Sequence, residues 1–417
     1  MVTHDIPHEQ ISLAAAELRQ DTSKEKPKRE RRYELDWLRM GAVVLLIAVH
    51  TAAIYDPFPL TAVKGPPSQM MKGFAIFVHN WRLAVLFIIS GAGAYFALGY
   101  LSAGKFSKMR LQRIIIPLIV GTLFIVPIQL YYWCLRLYPG RYSSYFQFWT
   151  ELISNALHGR IWSKPEYLHW GHLWFLVYLF VDSIITLPLF LYLRSEKGRA
   201  LTARFSSLIA KTGGIFLLGL PLILSELILR PAFPGYLGPS FIGDWANVSG
   251  YLLYYIYGFL IYSNEQLRET VQGWAKTALI LCIVTTTMYF LFPVFFGPLK
   301  PGYNATWMLF LVVRGFNAWF CIITIFAFGM KLLNFNHKIL PYATEAVYPV
   351  YIVHLPVMTM IAFHVVNWPV PMLLQYFFIV ICTAIVSIVV YHVLIRQTSV
   401  TRFLFGLKQK KPRAMRT

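Results

Sequence analysis

The sequence predicts an all-α protein, a polytopic transmembrane helix bundle of about ten spans with both termini cytoplasmic. Three observations predict it. Of the 417 residues, 57% are apolar in type and only 13% are charged, about half the charged share of a soluble domain. Aromatic residues reach 17% and the mean hydropathy is +0.55. Apolar runs long enough to cross roughly 30 Å of hydrocarbon follow one another along the chain. Together these exclude a disordered chain, a coiled coil, a disulfide-stapled secreted domain and an ordinary soluble enzyme.

Residues 1–32 are polar and basic, with Lys24, Lys26, Lys28, Arg29, Arg31 and Arg32 near the end. The segment is too long and too mixed in charge for the n-region of a cleaved signal peptide. It reads as a disordered tail ending in a basic anchor. A transmembrane domain over 33–396 follows, with spans at 36–55, 74–100, 114–135, 172–193, 213–230, 249–263, 275–296, 307–332, 346–366 and 373–395. The sixth is the shortest. A basic tail, 397–417, closes the chain.

Charge sets the orientation. On the side of the termini the ten spans leave 27 Lys and Arg, against eight on the other side, with Arg39, Arg82 and Arg314 inside spans. That bias puts both termini in the cytoplasm. The net charge of +20 is therefore a membrane signature, oriented to anionic lipid and phosphorylated ligands, and calls for no nucleic-acid partner. Cys134, Cys282, Cys321 and Cys382 are far apart without a CxxC pair and read as small buried hydrophobes. No 20–50-residue repeat and no pair of broken helices is visible. The longest outer segment, 136–171, carries Tyr142, Tyr145, Trp149, Trp162 and Trp170. It reads either as an interfacial aromatic belt or as a sugar-facing lid.

Ionisable residues inside spans are costly and mark polar interiors. Arg39 and His50 are eleven residues apart on the first span, three helical turns plus about 20°, so they share a face about 16 Å apart along the axis. An anion held by Arg39 at the inner mouth would present a group to His50 some 16 Å deeper, a reach that suits coenzyme A. A snorkelling arginine and a helix-bridging histidine are the plainer reading. The second span carries His79, Arg82 and Ser90-Gly91-Ala92-Gly93, the last a stretch that permits close helix approach. Arg110 and Arg113 before Pro117 are either positive-inside anchors or a phosphate site beside Arg39. Asp182 and Glu226 are the simplest partners for Arg82 and Arg314. His354 is a second proton carrier or a hydrogen bonder between helices. No GxSxG, P-loop, HExxH or Rossmann pattern occurs, so no metal is called for.

Asp36-Trp37-Leu38-Arg39 with His50 resembles the first-helix signature of the acyltransferase-3 superfamily of integral membrane enzymes. Leu86-Phe87-Ile88-Ile89-Ser90-Gly91 is similar to its second-helix pattern, and Arg110-x-x-Arg113-Ile114-x-x-Pro117 to its entry into the third helix. Within the superfamily the likeness is greatest to the glucan-modifying branch, which succinylates periplasmic glucans. It is carried by Pro127-Ile128-Gln129-x-Tyr131, His172-Leu173-Trp174-Phe175-Leu176, Arg314 to Trp319, and Glu345 to His354. The likeness runs from about 33 to 395. Met40 departs from the glycine common after the arginine, and Leu355-Pro356 from the glutamine common after the histidine.

The resemblance implies transfer of an acyl group, succinyl ahead of acetyl, from cytoplasmic acyl-coenzyme A to a hydroxyl of a periplasmic or cell-surface glucan. Arg39, Arg110 and Arg113 would grip the coenzyme A phosphates, and His50 with Arg39 would be catalytic, as general base or through an acyl-imidazole. Arg82, Ser90 and Arg314 would contact the acyl group or oxyanion. His172, Trp174 and His354 would stand on the acceptor side. Membrane lipid, the glucan and other glycan-biosynthesis proteins are the partners expected. The competing class is a proton-coupled transporter or flippase with Arg82, Asp182, Glu226 and Arg314 as its relay. A channel-like or purely structural bundle is disfavoured by so many intramembrane ionisable residues.

Overall fold

The computed structural model describes residues 31–57, 61–161, 164, 166–211, 213–234 and 243–409. The expected N-terminal tail up to residue 30, Trp162 and the end of the chain from 410 lie outside the described residues. Among those described, the structure is helical with no strand.

The helices are α1 (Tyr33–Ala52), α2 (Gln69–His79), α3 (Arg82–Leu98), α4 (Ala103–Leu137) and α5 (Tyr145–Leu157). Next come α6 (Trp174–Ile185), α7 (Leu187–Arg194), α8 (Glu196–Ile209), α9 (Gly219–Leu229), α10 (Trp245–Ser263) and α11 (Glu265–Gly273). The chain ends with α12 (Ala275–Phe296), α13 (Ala305–Leu332), α14 (Leu340–Val365), α15 (Met372–Ile395) and α16 (Ser399–Leu404). Every one of the ten expected spans is helical. Seven segments are long and apolar enough to cross a membrane unaided: α1, α2 with α3, α4, α12, α13, α14 and α15. Two more are bent pairs, α6 with α7 at 46° and α8 with the helices over 214–229 at 111°. Pro188, in the first turn of α7, accounts for the first bend, because its ring clashes with the preceding turn and gives it no N–H. The α10 helix, over the sixth expected span, is not among these segments, its apolar run interrupted by Tyr251, Tyr254, Tyr255, Tyr257 and Tyr262, so the described residues give seven to nine spans where ten were expected.

Small residues decide which helices meet most closely. A Cβ on Gly91 of α3 would collide with the Tyr255 carbonyl of α10, and one on Gly258 of α10 with the Ile88 carbonyl of α3. The two backbones touch because neither carries a side chain there, the membrane mode of helix packing. Gly93, two residues on, faces open space. The crossing anchors the main core, in which Phe87 stacks on Tyr251 at 4.5 Å and Phe190 on Phe259 at 3.9 Å.

Hydrogen bonds tie the two ends of the bundle. At the near end, Tyr33 N–H donates to Asn334 Oδ1 and Trp37 Nε1 to the Phe335 carbonyl. At the far end, Arg136 Nη1 donates to the Thr61 carbonyl and Tyr303 Oη to the Ile228 carbonyl. The chain does not come loose at 396. Arg402 of α16 forms two bonds of 2.9 Å to the Glu345 carboxylate, and Phe405 and Leu407 pack against the core. That carboxylate, by hydrogen bonding, holds the Arg402 guanidinium above its ordinary range.

Within the outer segment, α5 (Tyr145–Leu157) is docked on the bundle. Phe148 and Leu152 are buried, and Trp149 Nε1 donates to the Leu123 carbonyl of α4 at 3.0 Å.

Candidate active site

A cavity of about 800 Å³ occupies the far half of the bundle, within the range of small-molecule sites. Thr61, Pro234, Leu299 and Pro301 from the far-end connections form its rim. Its wall holds His50, His79, Arg82, Glu226, Arg230 and Arg314, with Tyr251, Tyr254, Tyr289 and Trp307 as aromatic surface. Charge donors and sugar-sized aromatic faces therefore share one chamber.

His50 reaches it from the last turn of α1, which packs among α2, α3, α13, α14 and α15. Behind it lies a line of imidazoles. Its ring centroid is 5.5 Å from that of His354, which is 5.4 Å from that of His172.

Arg82, in the first turn of α3, is buried, and its Nε and Nη1 have no hydrogen-bond partner. The acidic partner expected for it is not there. Asp182 is on α6 near Tyr178 and Tyr255, with its Oδ2 buried and unpaired, and it does not line the cavity. Glu226 is instead held by Arg314 and by an arginine that sequence reasoning passed over. Arg230 Nε and Nη2 reach the Glu226 carboxylate at 3.0 and 2.9 Å, and Arg314 Nη2 reaches it at 2.8 Å. Arg230, only 4% exposed, also contacts Asp244 at 3.3 Å and donates to Asn247 Oδ1 at 2.8 Å. The spacing of Glu226 and Arg230, i and i+4 on one helix, was the available signal. The supposed relay of Arg82, Asp182, Glu226 and Arg314 is thus not one chain.

The near end carries a second basic group. Arg39 is about one third exposed and 3.8 Å from Asp36. Arg110 lies within charge range of Arg39 and Arg113, and donates to Tyr255 Oη at 3.1 Å. Pro117 has no N–H for the Arg113 carbonyl four residues back, and two π-helical stretches, Leu111–Ile115 and Gly121–Ile125, widen α4 around it. Arg39 does not line the far cavity.

The remaining expected site residues divide. Arg314 lines the chamber beside Arg82. Ser90 does not; its Oγ donates to the Leu86 carbonyl at 2.8 Å, and its own carbonyl accepts from Arg110. Trp174, His172 and His354 stand behind the wall. Trp174 packs 5.9 Å from Tyr251, which is exposed to the chamber. The aromatic lining comes from α10, α12 and α13, not from the Tyr- and Trp-rich outer segment. The run of tyrosines in the weakest span was the sequence signal for it.

Comparison with known proteins adds three findings. The family model described as an acyltransferase domain matches residues 32–392. Glucans biosynthesis protein C of Escherichia coli O6:K15:H31 (strain 536 / UPEC) is 24% identical over 337 residues, covering 78% of this chain and 82% of that protein. Its counterpart in Escherichia coli O157:H7 (strain EC4115 / EHEC) is 25% identical over the same shares. No solved structure matches the chain.

Proposed function

Because this chain belongs to the acyltransferase-domain family and is a membrane protein, we propose that it moves an acyl group through the bundle to a hydroxyl of a glucan at the far face. The glucan is taken from the name of the relatives, glucans biosynthesis protein C. The near end, with the basic tails, faces the cytoplasm of the inner membrane by the positive-inside rule.

The donor is acyl-coenzyme A. Arg39, Arg110 and Arg113 bind its phosphates by charge-assisted hydrogen bonds at the near end. The pantetheine arm spans the three turns of α1 and brings the thioester to His50. A sugar hydroxyl in the chamber gives its proton to His50 and attacks the acyl carbonyl. The carbon–sulfur bond breaks, and the thiolate takes the proton back. The reaction needs no metal. Arg82, with two unpartnered guanidinium nitrogens, binds the carboxylate of a succinyl group, which favours succinyl over acetyl. Tyr251, Tyr254 and Trp307 give the glucan ring faces to stack on.

The observation that carries this reading is the position of His50. It is the ionisable side chain on the chamber wall that shares a helix face with the near-end arginine. The test uses purified full-length protein in nanodiscs with labelled succinyl-coenzyme A and glucan. Wild type should release coenzyme A and label the glucan, and His50→Ala should do neither while remaining monodisperse. Labelling by His50→Ala at more than a tenth of the wild-type rate would remove the assignment.

A further inference from the structure

Behind His50, two histidines are held in single, opposite tautomers by backbone carbonyls. His354 Nδ1 is 2.7 Å from the Tyr351 carbonyl. A carbonyl oxygen only accepts, so Nδ1 of the neutral ring carries the hydrogen and Nε2 keeps its lone pair. That Nε2 is buried without a hydrogen-bond partner. His172 is the reverse: its Nε2 is 2.9 Å from the Ile352 carbonyl, and its Nδ1 is buried without a partner. The Ile352 carbonyl is open to it because the residue four positions on is Pro356, which has no N–H to close the helical bond. The Leu355-Pro356 departure noted in the sequence thus has a structural use. Tyr351 Oη donates to the His172 carbonyl at 2.8 Å and fixes the turn that carries it.

A buried nitrogen lone pair left without a donor costs free energy, and such groups are rare outside sites where they do work. The centroid of the His354 ring is 5.5 Å from that of the proposed base. We infer that His354 is the positioning residue for His50: its Nε2, unbonded in this structure, takes a hydrogen bond from the N–H of the His50 ring when that ring turns to meet it. His172 backs it. The bond fixes the His50 tautomer, so that the nitrogen turned to the chamber is the one without a hydrogen. When that nitrogen takes the hydroxyl proton, the resulting imidazolium keeps its charge-assisted bond to His354. No net proton is gained, since the thiolate removes it as coenzyme A leaves. The groups that bear on His50 from neighbouring elements are His79 of α2, Arg82 of α3, His354 of α14 and His172 of the turn before α6. Arg82 opposes the imidazolium, which makes an uncharged acceptor behind the ring the more consequential.

This inference rests on the acyltransferase reading for its kinetic arm only. His354→Leu removes the acceptor, and His354→Gln keeps an amide oxygen near the Nε2 position. With labelled succinyl-coenzyme A, His354→Leu should lower kcat by about 10- to 100-fold, the worth of one hydrogen bond to a charged group. KM for donor and glucan should stay within about twofold, and His354→Gln should recover kcat to within about threefold of wild type. A second readout requires no acyl transfer. The pH midpoint for carbethoxylation of His50 by diethylpyrocarbonate, followed by peptide mass spectrometry, should fall by about one unit in His354→Leu and return in His354→Gln.

An active wild type with His354→Leu unchanged in kcat and in the modification midpoint overturns the inference. So does a His354→Gln variant as inactive as His50→Ala. If the leucine variant does not fold, the glutamine variant decides the matter by that last criterion. A wild type that consumes no acyl-coenzyme A sinks the function proposed above and leaves the modification midpoint to judge His354.

Discussion

Glu226 is the residue whose neutralisation should do most harm to the chamber. It accepts three hydrogen bonds of 2.8–3.0 Å from two guanidinium groups, and Arg230 is almost fully buried. In Glu226→Gln the shape is kept but the charge is lost. One oxygen then serves three donors, and an amide N–H₂ turns towards a guanidinium. Asp244, at 3.3 Å, is left as the carboxylate of Arg230, and Arg314 loses the carboxylate it held. Hydrogen bonds to charged groups are worth about 1.5–3 kcal/mol each, and removing one partner of a buried pair costs about 3–5 kcal/mol. A loss near 3 kcal/mol is the expectation, a fall in melting midpoint of about 6 °C at roughly 2 °C per kcal/mol. Tryptophan fluorescence melts of the purified protein measure it. The Arg314→Gln single variant and the double variant complete a cycle in which the pair should show coupling of at least about 1 kcal/mol. Because the network lines the same chamber as His50, KM for the glucan should rise more than kcat falls. A midpoint within 1 °C of wild type, or strictly additive single and double variants, would refute the reasoning.

Two further outcomes follow from the packing. Gly91→Leu should prevent accumulation of folded protein, because its Cβ meets a backbone carbonyl that cannot turn aside, whereas Gly93→Ala, which faces open space, should express at wild-type levels; detergent size-exclusion profiles compare them. Arg402→Ala should release α16 and destabilise the near end by about 1–3 kcal/mol, seen as faster proteolysis after residue 396. Since the Arg402 pKa is raised, its contribution is fully present below the unfolded value and is lost only as pH climbs through the still higher folded value, so proteolysis should not accelerate up to pH 10.

The helical segments were legible, though not their number as spans, because hydropathy is local: a run of apolar residues has to be helical in lipid whatever it packs against. The same holds for the shared face of Arg39 and His50, set by the 3.6-residue period alone, and for the small-residue stretch at Gly91. Charge pairing was not legible. Asp182 and Glu226 were equivalent as letters, and only the packing of α9 against α13 brought Glu226 to Arg314, 88 positions away, while Asp182 was left without a cation. The docking of the segment after 396 was not legible for a related reason. A short segment such as 399–404 reads as tail until Glu345, 57 positions before Arg402, is seen to receive it.

What the sequence determined by itself was the class of the protein and its helices, because each depends on neighbours within a few turns. The tertiary structure alone decided which ionisable side chains share a chamber and which histidine stands behind His50. His172 and Ile352 are 180 positions apart, and a contact over that distance is fixed by the fit of whole helices against one another, a property that no local stretch of residues carries.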